Sequence, residues 1–154
     1  LFSKELKKVT LQLSWFDQFQ FAGYYIAKEK GFYKNLGYSA GFIGFDQSYH
    51  IKNQTDEIIA AVFVSRVEAS CKQWLLHGLV VKPSEQHRGL ASALIKHVQK
   101  LHPPLVCFAK PNLKQFYLKL DFEIKSPSLL ATTHRKRLAA YQQKQPELLC
   151  YFYR

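Results

Sequence analysis

The chain has 154 residues, enough for one domain with a proper core, with or without a short appendage. Hydrophobic residues make up 47% and charged residues 21%, which excludes a disordered or low-complexity chain. Lys and Arg number 22 against 11 Asp and Glu; the net charge of +11 implies either anionic company (cofactor phosphates, nucleic acid, an acidic surface) or a solvated basic surface.

No stretch approaches the roughly 18 consecutive apolar residues of a membrane helix, so no membrane partner is expected. Cys71, Cys107 and Cys150 are widely spaced and odd in number, with no C-x-x-C pair and no His/Cys cluster. Reduced thiols, no metal and a cytoplasmic location are therefore expected. The chain opens Leu1-Phe2-Ser3 and holds no methionine, so Leu1 reads as other than the natural start, left by a cleaved signal or a truncated reading frame.

In chain order, residues 8–14 alternate apolar and polar, the period of a half-buried strand. A helix follows over residues 21–30, with Gly31 as its stop. The segment Val9-Thr10-Leu11-Gln12-Leu13-Ser14-Trp15, Gln18 to Tyr25 and Ala27 to Tyr33 resembles the start of a family of periplasmic substrate-binding proteins. Those proteins take sulfonates or thiamine-pyrimidine precursors. The likeness ends by residue 38, and such a binder needs two α/β lobes with a cleft between them. Residues 1–40 are therefore expected as a strand–helix segment packed into a domain formed by 41–154. The rival function implied is a small-molecule binding module with Trp15, Phe19 and Tyr24 as an aromatic pocket.

Residues 42–52 and 57–66 read as two strands around the polar turn at 53–56, an antiparallel hairpin. Residues 74–81 form a third strand, in which Gly78 signals a bulge or a close backbone approach. A polar turn then leads through Gly89 into a helix with Leu90, Ala91, Leu94, Ile95 and Val98 on one face, ended by His102-Pro103-Pro104. Residues 105–109 are a short buried strand, 111–120 a helix with Pro111 near its start, 131–144 a basic helix and 148–153 a final strand.

Strand, polar turn, glycine and helix N-terminus together aim backbone N–H groups at one point, which suits an anion or is simply a tight turn. Gln86-x-x-Gly89-x-Ala91 resembles the acyl-CoA pyrophosphate loop of the GNAT family of N-acyltransferases, Gln/Arg-x-x-Gly-x-Gly/Ala. The resemblance extends over residues 41–154. It implies an α/β (α+β) fold: a mixed, mostly antiparallel sheet flanked by helices and split at the strand before Lys82. It also implies that Leu79, Val80 and Val81 offer backbone groups to the pantetheine arm of acetyl-CoA, the Leu79 N–H polarising the thioester carbonyl. Gln86, His87, Arg88, Gly89, Leu90, Ala91 and Ser92 would hold the pyrophosphate, with Gly89 leaving room for it. Arg88 and Lys82 would add charge.

Asn112 and Tyr117, within Gln115-Phe116-Tyr117-Leu118-Lys119-Leu120-Asp121-Phe122, resemble the family's Phe-Tyr-x-Lys-x-Gly-Phe segment. By that likeness Tyr117 protonates the CoA thiolate and Asn112 meets the pantetheine; otherwise Tyr117 is a packing aromatic. Asp121 stands where the family has glycine. Residues 74–81 hold no carboxylate to serve as base. Alternation sets Leu75, His77 and Leu79 on one face, so His77 is either that base or a satisfied core histidine. Glu57, Glu68 or a water relay are the other choices. The basic helix binds an anionic partner, the adenosine phosphate, or only water. The expectation is acetyl transfer from acetyl-CoA to an unidentified amine by a monomer or homodimer. A catalytically inactive member of the fold is a further alternative, and nucleic acid, with no motif to support it, is not an expected partner.

Overall fold

The computed structural model describes residues 45–66 and 69–154. The strand and helix expected within 8–30, the aromatic trio Trp15, Phe19 and Tyr24, and Glu68 lie outside them. Six strands form one sheet: β1 (Phe45–Lys52), β2 (Ile58–Arg66), β3 (Trp74–Val81), β4 (Leu105–Ala109), β5 (Glu123–Ile124) and β6 (Leu149–Tyr153). Their order across it is β1-β2-β3-β4-β6-β5. Among the described strands only β3 and β4 run parallel; the other neighbours are antiparallel. This is the mixed, mostly antiparallel sheet expected.

The β1–β2 hairpin turns on Asn53. Its Oδ1 accepts from the N–H groups of Thr55 and Glu57, each at 3.0 Å, the local bonding that makes Asn a turn residue. β2 reads Ile-Ile-Ala-Ala-Val-Phe-Val-Ser-Arg and is buried on both faces, which is why it carries no polar alternation.

Helices cover the two faces. α1 (Leu90–Leu101) buries Leu94, Ile95 and Val98 against Tyr49, Val62, Leu76 and Cys107. Each such side chain stabilises the fold by about 1.5–3 kcal/mol. His102, whose N–H bonds Val98 O at 2.9 Å, ends the helix before two prolines. The single helix expected over 111–120 divides: Pro111–Leu113 is a 3₁₀ turn and α2 (Lys114–Leu118) is one short turn of α-helix. The chain winds tightly first, Lys114 N–H bonding Pro111 O three residues back. α2 and the following turn bring Tyr117, Leu120 and Phe122 into the same core as α1.

α3 (Thr132–Gln142) lies on the opposite face. Its Leu138 packs with Leu75, Val106, Leu130 and Cys150. Gln73 fastens its start. Gln73 Oε1 accepts from Ala131 N–H at 2.7 Å, its Nε2 donates to Leu129 O at 2.9 Å, and its carbonyl oxygen lies 2.8 Å from His134 Nε2. A carbonyl only accepts, so that nitrogen carries the proton.

Candidate functional site

The sheet opens at its middle. β3 and β4 pair at Trp74↔Leu105, Leu75↔Val106 and Leu76↔Cys107, and the pairing stops there. Both strands continue, β3 to Val81 and β4 to Ala109, but Phe108 and Ala109 pair only with β6. The split expected before Lys82 is therefore present, with Leu76 and Cys107 at its apex.

A bulge lies just past that apex. The β2–β3 register steps from Phe63↔His77 to Ala61↔Val80, so Gly78 and Leu79 together face Val62. Gly78 adopts φ 59°, the left-handed glycine that such a bulge uses. Leu79 consequently has no ladder partner on β2 or β4 among the described residues. It lies beside the split, outside both ladders.

The bulge also corrects the face assignment made by simple alternation. One extra residue flips every side chain beyond it. Leu79 and Val81 join Trp74 and Leu76 on the α1 side, while His77 stays with Leu75 on the α3 side. Val80 packs with Ile58, Ala61 and Phe63.

From Val81 the chain makes a 3₁₀ turn at Pro83–Glu85 and reaches Gly89, which caps α1 with φ 80°. No side chain caps the helix start, so the first-turn N–H groups of Leu90, Ala91 and Ser92 are left for an outside acceptor. A Cβ built on Gly89 would meet nothing within 4 Å. That open space in front of free N–H groups fits a phosphate. His87, with φ 61°, is a second left-handed residue in the loop and an uncommon one for a side chain of its size. Gln86 Nε2 donates to Val81 O at 3.2 Å and ties loop to strand. Arg88 pairs with Glu85, and Lys82 Nζ lies 2.6 Å from Glu57 Oε1. Both cations expected at the phosphates thus sit on carboxylates; such exposed pairs are worth only about 0–1 kcal/mol and exchange partners readily.

Tyr117 is brought to the apex from α2. It is 5% exposed, wedged among Phe116, Phe122 and Tyr151, with its hydroxyl against the Cys107 thiol. Burial, helped by that thiol, pushes its proton affinity well above a free phenol. Tyr117 is therefore a packing aromatic whose phenol stays protonated beside the split. Asn112 is exposed, in the turn that follows β4. Asp121 takes φ 61°, so the turn usually made by glycine is kept, and Phe122 N–H still bonds Tyr117 O at 3.2 Å.

Of the candidate bases, His77 Nε2 lies 2.5 Å from Ser65 Oγ and the ring stacks on Phe63 at 5.5 Å. Burial, with Arg137 nearby, lowers its pKa to about 4, so the imidazole is neutral. Glu57 is held below the usual carboxylate range by its hydrogen bond and charge contact with Lys82, which makes it a weaker base. Ser65, Cys107 and Arg137 are neighbours that the sequence pattern did not single out. Each reaches the site from an element distant in the chain, and no spacing rule links them.

A split sheet, a bulge beside it and an open glycine loop on a helix N-terminus define a fold built to admit an extended phosphate-bearing ligand. The chain belongs to the GNAT family: residues 45–124 match the acetyltransferase (GNAT) domain model. No curated protein sequence matches it. Among solved structures it is similar to the N-acetylglutamate synthase of Neisseria gonorrhoeae, complexed with coenzyme A and N-acetyl-glutamate. That match has TM-score 0.62 and 14% identity and covers 96% of this chain and 36% of the synthase. The chain thus spans about a third of the synthase's length. A GNAT-family acetyltransferase from Staphylococcus aureus Mu50 matches with TM-score 0.59 and 10% identity, over 94% of this chain and 98% of that one. The Bacillus subtilis N-acetyltransferase YlbP, in complex with coenzyme A, matches with TM-score 0.50 and 16% identity, over 69% and 66%. At these identities the likeness is one of fold.

Proposed function

We propose that the chain transfers an acyl group, acetyl in the first instance, from acyl-CoA to a primary amine by direct attack on the thioester. The observation that carries this is the end of β3–β4 pairing at Leu76↔Cys107 beside the Gly78 bulge, which leaves Leu79 outside both ladders. In this reading the pantetheine lies in the split and pairs with β3 as an added strand, contacting Val81 and Asn112. The Leu79 N–H points a dipole at the thioester oxygen, where negative charge grows as the amine attacks. The loop from Gln86 to Ser92 takes the pyrophosphate on its backbone N–H groups, and the coenzyme-A complexes of structurally similar proteins support coenzyme A as the ligand. The C–S bond then breaks, and the departing thiolate takes a proton from Tyr117. The amine gives up its proton to water, His77 with a pKa of about 4 being a weak base, and solvent restores the phenol. The products are an amide and free CoA thiol.

Burial keeps Tyr117 protonated, so it can give a proton, and by the same cause makes it a weaker acid than a free phenol, so the transfer depends on its position beside the split. Thiol release from acetyl-CoA across a panel of amines tests the reading. Amine-dependent release is expected, with Tyr117→Phe lowering kcat by about 10²-fold at unchanged acetyl-CoA affinity. Equal turnover in Tyr117→Phe would remove it as the acid. A wild-type protein that releases no thiol with any amine would leave the fold without the activity.

A further inference from the structure

Tyr117 has to turn its O–H toward the departing sulfur and then carry a negative charge on its oxygen once the proton has gone. Its ring lies in apolar company, edge-on to Phe116 and Phe122 at 5.1 and 5.4 Å and tilted on Tyr151 at 4.9 Å. A phenolate formed there without a donor is costly, because its charge has left water and nothing offsets it. A hydrogen bond to the oxygen lowers that cost and fixes which way the phenol faces.

Sheet pairing brings such a donor to the phenol. Cys107 stands directly opposite Tyr151 in the β4–β6 ladder, so the thiol projects to the same face as the ring on which Tyr117 packs. Cys107, Tyr117 and Tyr151 share the core cluster under α1, where Cys107 is 1% exposed. Cys107 is also the last β4 residue paired with β3, at the apex of the split. Tyr151 does not compete for the thiol, since its buried hydroxyl makes no hydrogen bond. The thiol meets the Tyr117 hydroxyl instead. Burial holds the thiol's proton more tightly than in a free cysteine, so Cys107 is a donor and not a second acid.

We infer that Cys107 is the positioning residue of the acid step: its S–H donates to the Tyr117 oxygen, aims the phenolic O–H into the split and holds the phenolate until it is reprotonated. This rests on the acyltransferase reading and adds to it the group through which Tyr117 works. The electron pair of the C–S bond goes to the CoA sulfur, which takes the phenolic proton. The thiol keeps its own proton throughout, and solvent returns one to the phenolate.

A double-mutant cycle on amine-dependent thiol release tests this. Cys107→Ala is expected to lower kcat by about three- to tenfold, the scale of a hydrogen bond from a weak donor to a charged oxygen, with KM for acetyl-CoA unchanged. In a Tyr117→Phe chain the same substitution should move kcat by less than about twofold, because the hydroxyl it serves is gone. Cys107→Ser, which keeps a donor at the position, should restore most of the lost kcat. Wild-type kcat in Cys107→Ala, the same fold loss in both backgrounds, or a Cys107→Ser chain no faster than Cys107→Ala would overturn the inference and leave the acyltransferase reading standing. Full turnover in Tyr117→Phe would remove the acid and its positioning residue together. A wild-type chain that releases no thiol with any amine would overturn the acyltransferase reading itself, and this one with it.

Discussion

Asp121 holds a left-handed backbone with φ 61° in the turn that carries Tyr117 to the split. Asp tolerates this conformation better than most side chains, yet it costs about 1–2 kcal/mol, whereas glycine takes it freely at an entropy cost of about 0.5–1 kcal/mol. Asp121→Gly is therefore expected to raise the melting temperature by a few degrees, with kcat unchanged; a lower melting temperature would mean that the carboxylate makes a contact worth more than the strain. Gly78 was legible from a local rule, as a bulge signal, whereas Gly89 and Tyr117 were singled out through the family resemblance. Leu79 was set on one face with Leu75 and His77 because a period-two pattern cannot show the extra residue that a bulge inserts. The partner of His77, Ser65, sits on another strand, and only the β2–β3 pairing brings the two together.

Among the elements, the loop from Lys82 to Leu90 does the most with the least sequence. Valine at position 89 would meet the left-handed φ of 80° with a β-branched side chain, and its Cβ would enter the open space in front of the free N–H groups. Gly89→Val is expected to weaken acetyl-CoA binding by about tenfold or more, a loss of at least ~1.4 kcal/mol, and to lower the melting temperature modestly. Titration of the variant against acetyl-CoA checks this, and unchanged affinity would move the phosphates elsewhere. The strands and α1 were readable from periodicity and bounding turns. The segment from Pro111 was not, because its spacing is helical throughout and no local pattern separates the 3₁₀ turn at its head from the short α-helix after it. α3 read as a basic helix from its charges. That it docks through His134 and Leu138, with Gln73 across the chain as its clamp, follows from tertiary packing that no local pattern encodes.

At the scale of the molecule, several histidines are kept neutral. Burial lowers His77 and His102 to a pKa of about 4 and also lowers His97 and His134. Their folded-state pKa values lie below the unfolded value near 6.5, so the unfolded chain binds more protons between the two. The stability they contribute is fully present above pH 6.5 and is lost as the pH falls toward 4. The melting temperature should accordingly be level near neutrality and decline through that window. His102→Gln, which removes a ring packed on Trp74 and 2.6 Å from the Tyr49 hydroxyl, should decline less steeply; an identical slope would assign the effect to other groups. The overall architecture was legible because strand, loop and helix succeed one another in a spacing shared by a whole family. The apex of the split was not, since β3, β4, β6 and α2 supply its residues from distant parts of the chain.

The central claim is that the split sheet and the glycine loop form one site for acyl-CoA. Isothermal titration of the full chain with acetyl-CoA tests it most directly. Saturable binding with one molecule per chain, weakened in Gly89→Val and preserved in Tyr117→Phe, is the predicted result. No measurable binding by a chain whose circular dichroism shows it folded would contradict it.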